Sequence, residues 1–231
     1  MRTELETALL RAGFSCPPAT IEKMVEFYEL LIQWNRKANL TALTEPEDFI
    51  NKHILDSLYP ARFLGEGTLA DVGTGAGFPG LPLKLFMPQV RLTLVEAAAK
   101  KVAFLEHCTS ALAVEAEIVH GRAEELGRSL ARESFVYATA RAVAALSVIC
   151  EYCLPLLRVG GRLLALKGPS SEGEVKSAAG AIELLGGELT EIVNYNLPNG
   201  DPRSLIVIEK VLPTPAKYPR RPGVPAKKPL A

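Results

Sequence analysis

The segment that most constrains the fold is residues 68–80, where a short apolar run ends at Asp71 and Gly73, Gly75 and Gly77 follow at alternate positions. Glycine has no Cβ, so a ligand can approach the backbone of such a loop closely, and the loop can adopt positive φ. At the end of a parallel strand, a loop of this kind is where doubly wound sheets bind adenosine-containing ligands. The segment therefore predicts an α/β fold with a ligand site at the end of its first strand.

The chain after residue 68 alternates between short β-prone segments and helical stretches. The predicted strands cover residues 68–72, 91–96, 116–120, 135–140, 162–167, 188–195 and 204–210. Most connections are helical and long enough for right-handed crossovers. Residues 196–203 contain two prolines and Gly200, which predicts a loop and an antiparallel final hairpin. A seven-stranded, mostly parallel sheet with a closing antiparallel hairpin is typical of the Rossmann-like class I S-adenosylmethionine-dependent methyltransferases.

Two adenosine ligands compete for the glycine loop. The spacing of Gly75, Gly77 and Gly80 also satisfies the dinucleotide pattern, and Glu96 ends the next strand, where an acid can accept hydrogen bonds from ribose hydroxyls of either ligand. Asp71 favours S-adenosylmethionine, because an acid suits a positively charged amino-acid end and would face a pyrophosphate unfavourably. A nicotinamide site and a glycine-rich turn without a ligand are the alternatives.

Three regions differ in composition. Residues 1–64 have apolar residues at helical spacing, and Thr44 to Glu47 resembles a capping box that opens a second helix. Residues 65–211 form the predicted methyltransferase domain. Residues 212–231 carry five basic residues and six prolines without an acid, which predicts an extended basic tail. Such a tail either lies along a phosphate backbone or is simply solvated.

Composition narrows the class of protein further. The chain has 231 residues and a formal net charge of zero, which is typical of one α/β domain with an appendage and gives no bulk attraction to nucleic acid. Its start does not resemble a signal peptide and no apolar run is long enough to span a membrane, so we expect a cytoplasmic protein. Cys150 and Cys153 have metal-binding spacing, but no second Cys/His pair accompanies them, so we expect packed thiols and no metal.

Several segments together resemble the bacterial glucose-inhibited division protein B family, the small-subunit ribosomal RNA guanine-N7 methyltransferases. The matching segments run from about residue 30 to about residue 223 and are Trp34-Asn35, Asn39 to Thr41, His53 to Leu58, Asp71 to Gly80, Lys100 to Leu105, Gly121 to Glu124, Ala140 to Ala142, Leu166 to Gly168 and Tyr218 to Gly223. The family often has Asp where this chain has Glu96, a change that keeps the charge.

The resemblance implies S-adenosylmethionine as the methyl donor, with S-adenosylhomocysteine as the product, and it implies a set of site residues. Asp71, Gly75 and Gly77 belong to the predicted cofactor site from their pattern. The resemblance adds Gly73 and Phe78 at the cofactor, Glu96, Ala97 and Ala98 near the ribose, Ala123 and Glu124 at the adenine, and Arg141 at the methionine end. An ion pair of Arg141 with Asp71 or Glu96 is the alternative.

The chemistry of guanine N7 is consistent with the residues present. N7 has a free lone pair, so it can attack a sulfonium methyl without a general base. No Asn-Pro-Pro-aromatic segment of the amino-group methylases follows the fourth strand, where Ala140 to Ala142 stand. We expect His53 and Asp56 to pack and to shape the cofactor pocket, and not to act together as a catalytic general base. Such an enzyme can rely on the orientation of its reactants to lower the barrier.

Lys167 and Arg141 are the predicted catalytic residues. Lys167 closes the fifth strand, and we expect it to contact a substrate phosphate or the guanine edge. Lys167, Arg220 and Arg221 are the predicted RNA-binding residues. The resemblance implies small-subunit (16S) ribosomal RNA as the partner, and because a neutral chain should bind naked RNA weakly, we expect a structured target such as a ribosomal subunit. We expect no membrane partner and a monomer. The alternative functions are a nicotinamide-dependent oxidoreductase and a non-catalytic protein that binds S-adenosylmethionine and RNA.

Overall fold

A seven-stranded mixed sheet forms the centre of the molecule, in the order β3-β2-β1-β4-β5-β7-β6. The computed structural model describes residues 1–169 and 171–230. Its strands are β1 (Thr68–Val72), β2 (Arg91–Glu96), β3 (Ala116–His120), β4 (Phe135–Arg141), β5 (Leu157–Lys167), β6 (Gly187–Asn196) and β7 (Pro202–Lys210).

The pairing of the strands confirms the predicted fold class. Strands β1 to β5 are parallel to one another, whereas β7 runs antiparallel to both β5 and β6. β5 begins at Leu157, five residues before the predicted start at 162, because Leu157 pairs with Phe135 across an irregularity in register. The chain reverses its direction of winding between β1 and β4, and this switch point is where open α/β sheets bind ligands.

Helices cover both faces of the sheet. They are α1 (Arg2–Arg11), α2 (Pro18–Ala38), α3 (Pro46–Asp48), α4 (Asp56–Leu58), α5 (Gly80–Phe86), α6 (Ala99–Ala111), α7 (Ala123–Leu126), α8 (Leu146–Cys153), α9 (Glu172–Leu184) and α10 (Val224–Lys227). Among the described residues, no helix is both long enough and apolar enough to cross a membrane.

One helical run from residue 46 to residue 63 changes its winding along its length. It begins as α3, continues as a π-helix over Phe49–Leu55, and ends as α4 and a 3₁₀-helix over Tyr59–Phe63. The predicted capping box at its start is wrong: Glu45 is the N-cap, and no side chain caps the helix. The Thr44 carbonyl instead accepts a hydrogen bond from the Tyr28 hydroxyl at 2.9 Å, which ties the loop to α2.

The N-terminal helices share one hydrophobic core with the sheet. Phe27 of α2 lies 5.0 Å from Phe78 and 6.5 Å from Phe104 between ring centroids, and 5.9 Å from Phe49. Phe27, Phe49 and Phe104 are completely buried, and burying each aromatic side chain contributes roughly 1.5–3 kcal/mol. The predicted boundary at residue 64 therefore falls inside a continuous core.

The C-terminal tail differs from its predicted extended form. Arg132 donates to the carbonyls of Tyr218 at 2.7 Å and Thr214 at 2.6 Å, and Arg128 donates to the Pro219 carbonyl at 2.7 Å. The Tyr218 side chain is buried, and the chain continues into the short helix α10. Donors from the body of the protein thus hold the tail against it; residue 231, the end of the predicted tail, lies outside the described residues.

Candidate active site

The site residues predicted from the sequence stand at the carboxyl ends of neighbouring strands. Asp71 lies near the end of β1, Glu96 ends β2, Arg141 ends β4 and Lys167 ends β5. Parallel strands present these ends at a single edge of the sheet, so residues up to 96 positions apart along the chain meet there. The edge has two parts, the glycine loop after β1 and a cleft beyond β4 and β5.

Asp71 anchors the glycine loop from below. Its Oδ2 accepts hydrogen bonds from the Thr74 hydroxyl at 2.6 Å and from the Gly80 amide at 2.8 Å, and Oδ1 lies 3.3 Å from the Thr139 hydroxyl. The side chain has no exposed surface, and burial raises its pKa to about 6 against the effect of these hydrogen bonds. The structure thus places the Asp71 carboxylate beneath the loop, and not at the open side where a ligand's amino end was predicted.

The glycines of the loop have different reasons to lack a side chain. Gly77 has φ of +95°, and a Cβ there would lie 2.5 Å from Leu81, so both conformation and packing exclude a larger residue. A Cβ at Gly75 would meet only the Lys101 ammonium at 3.9 Å and a carbonyl at 4.0 Å. The backbone at Gly75 is therefore open to close approach by a ligand, as a cofactor cradle requires.

Glu96 links the glycine loop to the loop after β2. Its Oε2 accepts from the Gly75 amide at 3.0 Å, and its Oε1 accepts from the Ala98 amide at 2.8 Å. A carboxylate has about four acceptor positions, so two remain for further donors. The carboxylate is held rigidly at the loop while retaining the capacity to accept hydrogen bonds from ribose hydroxyls.

His53 is fixed in one neutral form beside the loop. Arg141 Nη2 lies 3.1 Å from His53 Nδ1, and a guanidinium can only donate, so Nδ1 must accept. Nε2 therefore carries the proton and donates to the Thr41 hydroxyl at 3.1 Å. The ring stacks on Phe78 at 4.1 Å, and burial, followed by the charge of Arg141, lowers its pKa to about 3. His53 has no lone pair available to remove a proton from a substrate.

Arg141 is bound within the protein on one side and available on the other. Its Nη1 donates to the Lys52 carbonyl at 2.8 Å and to Asp56 Oδ2 at 3.2 Å. The alternative prediction named Asp71 or Glu96 as the ion-pair partner of Arg141. It is wrong, because the carboxylate that pairs with Arg141 is that of Asp56. Among the described residues, Nε and one Nη2 hydrogen have no acceptor, and these two donors can still meet a carboxylate.

A cleft of about 380 Å³ opens beyond β4 and β5. Four basic residues and two acidic ones line it, which leaves an excess of two positive charges with His53 neutral: Lys52, Arg141, Lys167, Arg203, Asp56 and Glu174. Lys167 donates to the Ala144 carbonyl at 2.7 Å and pairs with Glu174 at 2.7 Å. This positive cleft within a neutral chain is suited to an anionic substrate.

The tail reaches the predicted adenine region. The buried Glu124 carboxylate accepts a hydrogen bond from the Gly223 amide at 2.9 Å. Arg220 donates through its backbone amide at 2.7 Å and through Nε at 2.8 Å to Glu151, which is completely buried. A buried carboxylate requires such a partner. The Arg220 guanidinium therefore pairs with Glu151 inside the protein, and not with the RNA backbone as predicted. Arg221 is exposed.

The two cysteines with metal-binding spacing are packed, as the sequence predicts. Cys150 and Cys153 are buried in α8, and burial raises the pKa of both thiols. Within residues 1–169 and 171–230, no group of three His, Cys, Asp or Glu side chains has the arrangement of a metal site.

Three residues that line or support the cleft had no signal in the sequence. Arg203, from β7, lies 3.9 Å from Asp56, and the Tyr195 hydroxyl donates to Asp56 at 2.8 Å. Glu174 accepts from the Leu146 amide at 2.7 Å in addition to its pair with Lys167. These contacts join positions far apart in the chain, and no local motif marks them.

The sequence is similar to a known protein family and to several named proteins over most of its length. The model of the family described as GidB, rRNA small subunit methyltransferase G, matches residues 20–203. A protein of Alkaliphilus metalliredigens, named ribosomal RNA small subunit methyltransferase G, is 46% identical over 94% of this chain and 94% of its own length. One of the same name from Pelotomaculum thermopropionicum is 51% identical over 91% of this chain and 90% of its own length.

Solved structures support the fold alone. A SAM-dependent methyltransferase from Aquifex aeolicus matches 75% of this chain and 97% of its own, with a TM-score of 0.56 and 16% identity. The PH0226 protein of Pyrococcus horikoshii matches 77% of this chain and 98% of its own, with a TM-score of 0.56 and 14% identity.

Proposed function

Since the chain belongs to the GidB family, rRNA small subunit methyltransferase G, we propose that it transfers a methyl group from S-adenosylmethionine to N7 of a guanine in 16S ribosomal RNA. The observation that supports N7 as the acceptor is the fixed neutral His53, whose acceptor nitrogen is occupied by Arg141. The cleft offers positive charge without a free base, which suits a nucleophile that carries its own lone pair. An oxidoreductase is not favoured by the family.

The glycine loop and its neighbours fit the cofactor. Gly73, Gly75, Gly77 and Phe78 would form its cradle, Glu96 with Ala97 and Ala98 would hold the ribose, and Ala123 and Glu124 would meet the adenine. When bound, S-adenosylmethionine supplies an electrophilic methyl group on a sulfonium. We assign Asp71 to positioning the loop, because its carboxylate is buried beneath the backbone that would touch the ligand.

The residues of the cleft orient the reactants. The two free donors of Arg141 would bind the carboxylate of the methionine end, and Lys167 would hold a phosphate or the O6 edge of the guanine. Orientation alone contributes about 7–11 kcal/mol to lowering the barrier in well-aligned systems. The proton on guanine N1 stays in place during attack by N7, so no residue has to accept it in the transfer step.

Arg221 remains a candidate RNA contact, whereas Arg220 supports the tail. The cytoplasmic location and the monomeric state remain predictions.

Methyl transfer tests this function directly. Labelled S-adenosylmethionine is incubated with unmodified small-subunit ribosomal RNA, both naked and in assembled subunits, and the RNA is then cleaved chemically at 7-methylguanine. We expect one cleavage site in one of the preparations. Label without cleavage would overturn N7 as the acceptor, and cofactor binding without label would favour a non-catalytic binding protein.

We expect Glu96→Ala to raise the dissociation constant of S-adenosylmethionine about ten- to a hundredfold, since a hydrogen bond to a charged group contributes roughly 1.5–3 kcal/mol. Isothermal titration calorimetry measures the change. Glu66→Ala, at the exposed amino-terminal side of β1, is the matched control and should leave the constant unchanged. An unchanged constant in the Glu96 variant would exclude Glu96 as a ribose contact.

The rate of methyl transfer in the bound complex should vary less than about twofold between pH 7 and pH 8, a range above the pKa of about 6 of the loop-positioning Asp71. His53 has a pKa of about 3 and therefore stays neutral throughout this range, and N7 needs no deprotonation. Single-turnover rates with saturating RNA measure this dependence. A rate that rises about tenfold per pH unit would instead require a general base and would contradict the mechanism.

A further inference from the structure

A second groove lies between α2 and α6, apart from the cleft. It has a volume of about 510 Å³, and we call it the α2–α6 groove; its lining residues are Gln33, Trp34, Lys37, Ala38, Lys100, Ala103 and His107. None of these residues lines the 380 Å³ cleft. The roles proposed above for the cofactor and the guanine leave the groove without a function.

The groove has a rigid aromatic wall. Trp34 is half-buried, and its ring lies 5.7 Å from the completely buried Phe104, which fixes it to the core. On the groove side its ring lies 5.4 Å from the exposed His107 at an interplanar angle of 33°. Aromatic side chains held in this way serve as platforms on which unpaired bases stack.

The charge of the groove is positive and is not neutralised by the protein. Lys37 and Lys100 are exposed, and among the described residues neither ammonium has an ion pair or a hydrogen-bond acceptor. No acidic residue lines the groove. Lysines that remain unpaired beside an aromatic platform are the arrangement with which proteins bind single-stranded nucleic acid.

The groove adjoins the cofactor loop. Lys101, the neighbour of Lys100 in the first turn of α6, places its ammonium 3.9 Å from the Cβ position of Gly75. The first turn of α6 therefore borders both the groove and the glycine loop.

From these features we propose that the α2–α6 groove binds a single-stranded segment of the substrate RNA flanking the target guanine, with a base stacked on Trp34 and phosphates at Lys37 and Lys100. This proposal rests on the proposed function. It makes the N-terminal helix α2 part of the RNA interface and extends substrate contact beyond the site of chemistry.

Charge reversal tests the proposal in the intact protein. We expect Lys37→Glu with Lys100→Glu to raise the dissociation constant for unmodified small-subunit ribosomal RNA about tenfold or more, and to lower the slope of its salt dependence by about 1.4, because each phosphate contact to a single strand contributes about 0.7. The dissociation constant of S-adenosylmethionine should not change. Arg91→Glu with Arg158→Glu makes the same change in charge near the amino ends of β2 and β5, and should leave RNA binding near the wild-type value.

The fluorescence of Trp34 provides an independent readout, because it is the only tryptophan in the chain. A single-stranded RNA of about eight nucleotides should quench it in the wild type and much less in the double variant. Normal RNA affinity in the double variant, or fluorescence that responds to polyglutamate but not to RNA, would overturn the proposal in favour of a free surface or a peptide site. Wild-type methylation in the same preparation shows that the proposed function stands even if the groove fails this test.

Discussion

Glu151→Ala is expected to destabilise the protein by about 3 kcal/mol and to release the C-terminal tail. The Glu151 carboxylate is completely buried and accepts both the backbone amide and the guanidinium of Arg220. Removing one member of a buried ion pair costs roughly 3–5 kcal/mol, and the lower end applies because Arg220 is 24% exposed. The hydrogen bond that the Arg220 guanidinium donates to Glu151 is also the largest cause of the raised pKa of Arg220.

Urea unfolding followed by circular dichroism measures the loss of stability, and limited proteolysis between residues 212 and 230 measures release of the tail. Arg221→Ala is the matched control: the side chain is exposed, and its replacement should change the free energy of unfolding by less than about 0.5 kcal/mol. If Glu151→Ala were as stable as the control, the tail would not be held by this pair. Weaker S-adenosylmethionine binding should accompany the loss, because the Gly223 amide would no longer support Glu124.

Arg141→Ala should lower the rate of methyl transfer at subsaturating S-adenosylmethionine by about a hundredfold or more. The substitution removes the proposed contact with the methionine carboxylate and leaves Asp56 with less compensation for its buried charge. It also frees Nδ1 of His53, which Arg141 holds as an acceptor. We therefore expect a higher dissociation constant for the donor together with a lower maximal rate.

Arg141→Lys separates charge from geometry. A lysine retains the positive charge but lacks the planar fork that serves Asp56, His53 and a ligand at the same time, so it should restore only part of the activity. Calorimetry with S-adenosylmethionine and single-turnover rates distinguish the two contributions. A donor dissociation constant that is unchanged in Arg141→Ala would exclude the carboxylate contact and restrict Arg141 to ordering the cleft.

The strands and their connections were accessible from the sequence because the signals are local. Apolar runs bounded by glycine and proline predicted β1, β2 and β3 with the bounds that the structure has, and the prolines between 196 and 203 predicted the hairpin. The glycine loop and Glu96 were identified in the same way. Each of these features depends on residues close together in the chain.

The partners of charged side chains were not accessible in this way. Arg141 and Asp56 are 85 residues apart, and Arg220 and Glu151 are 69 apart, so only the folded chain brings each pair together. Asp71 shows the same limit: the sequence places an acid before the glycines, but the direction of its carboxylate depends on Gly80, Thr74 and Thr139. The π-helical winding around His53 likewise had no local signal.

The switch point between β1 and β4 separates the strands that carry the glycine loop from the strands that line the cleft. The glycine loop and Glu96 lie with β1 and β2, while Arg141, Lys167 and Arg203 come from β4, β5 and β7. Substitutions of Lys167 or Arg203 can reshape the cleft without altering the residues that would hold the methyl donor, whereas Arg141 would serve the donor and the cleft together. Such a sheet can therefore diversify its acceptors over evolutionary time while keeping one donor, and acceptor specificity can be engineered by exchanging β5, β7 and their loops with Arg141 retained.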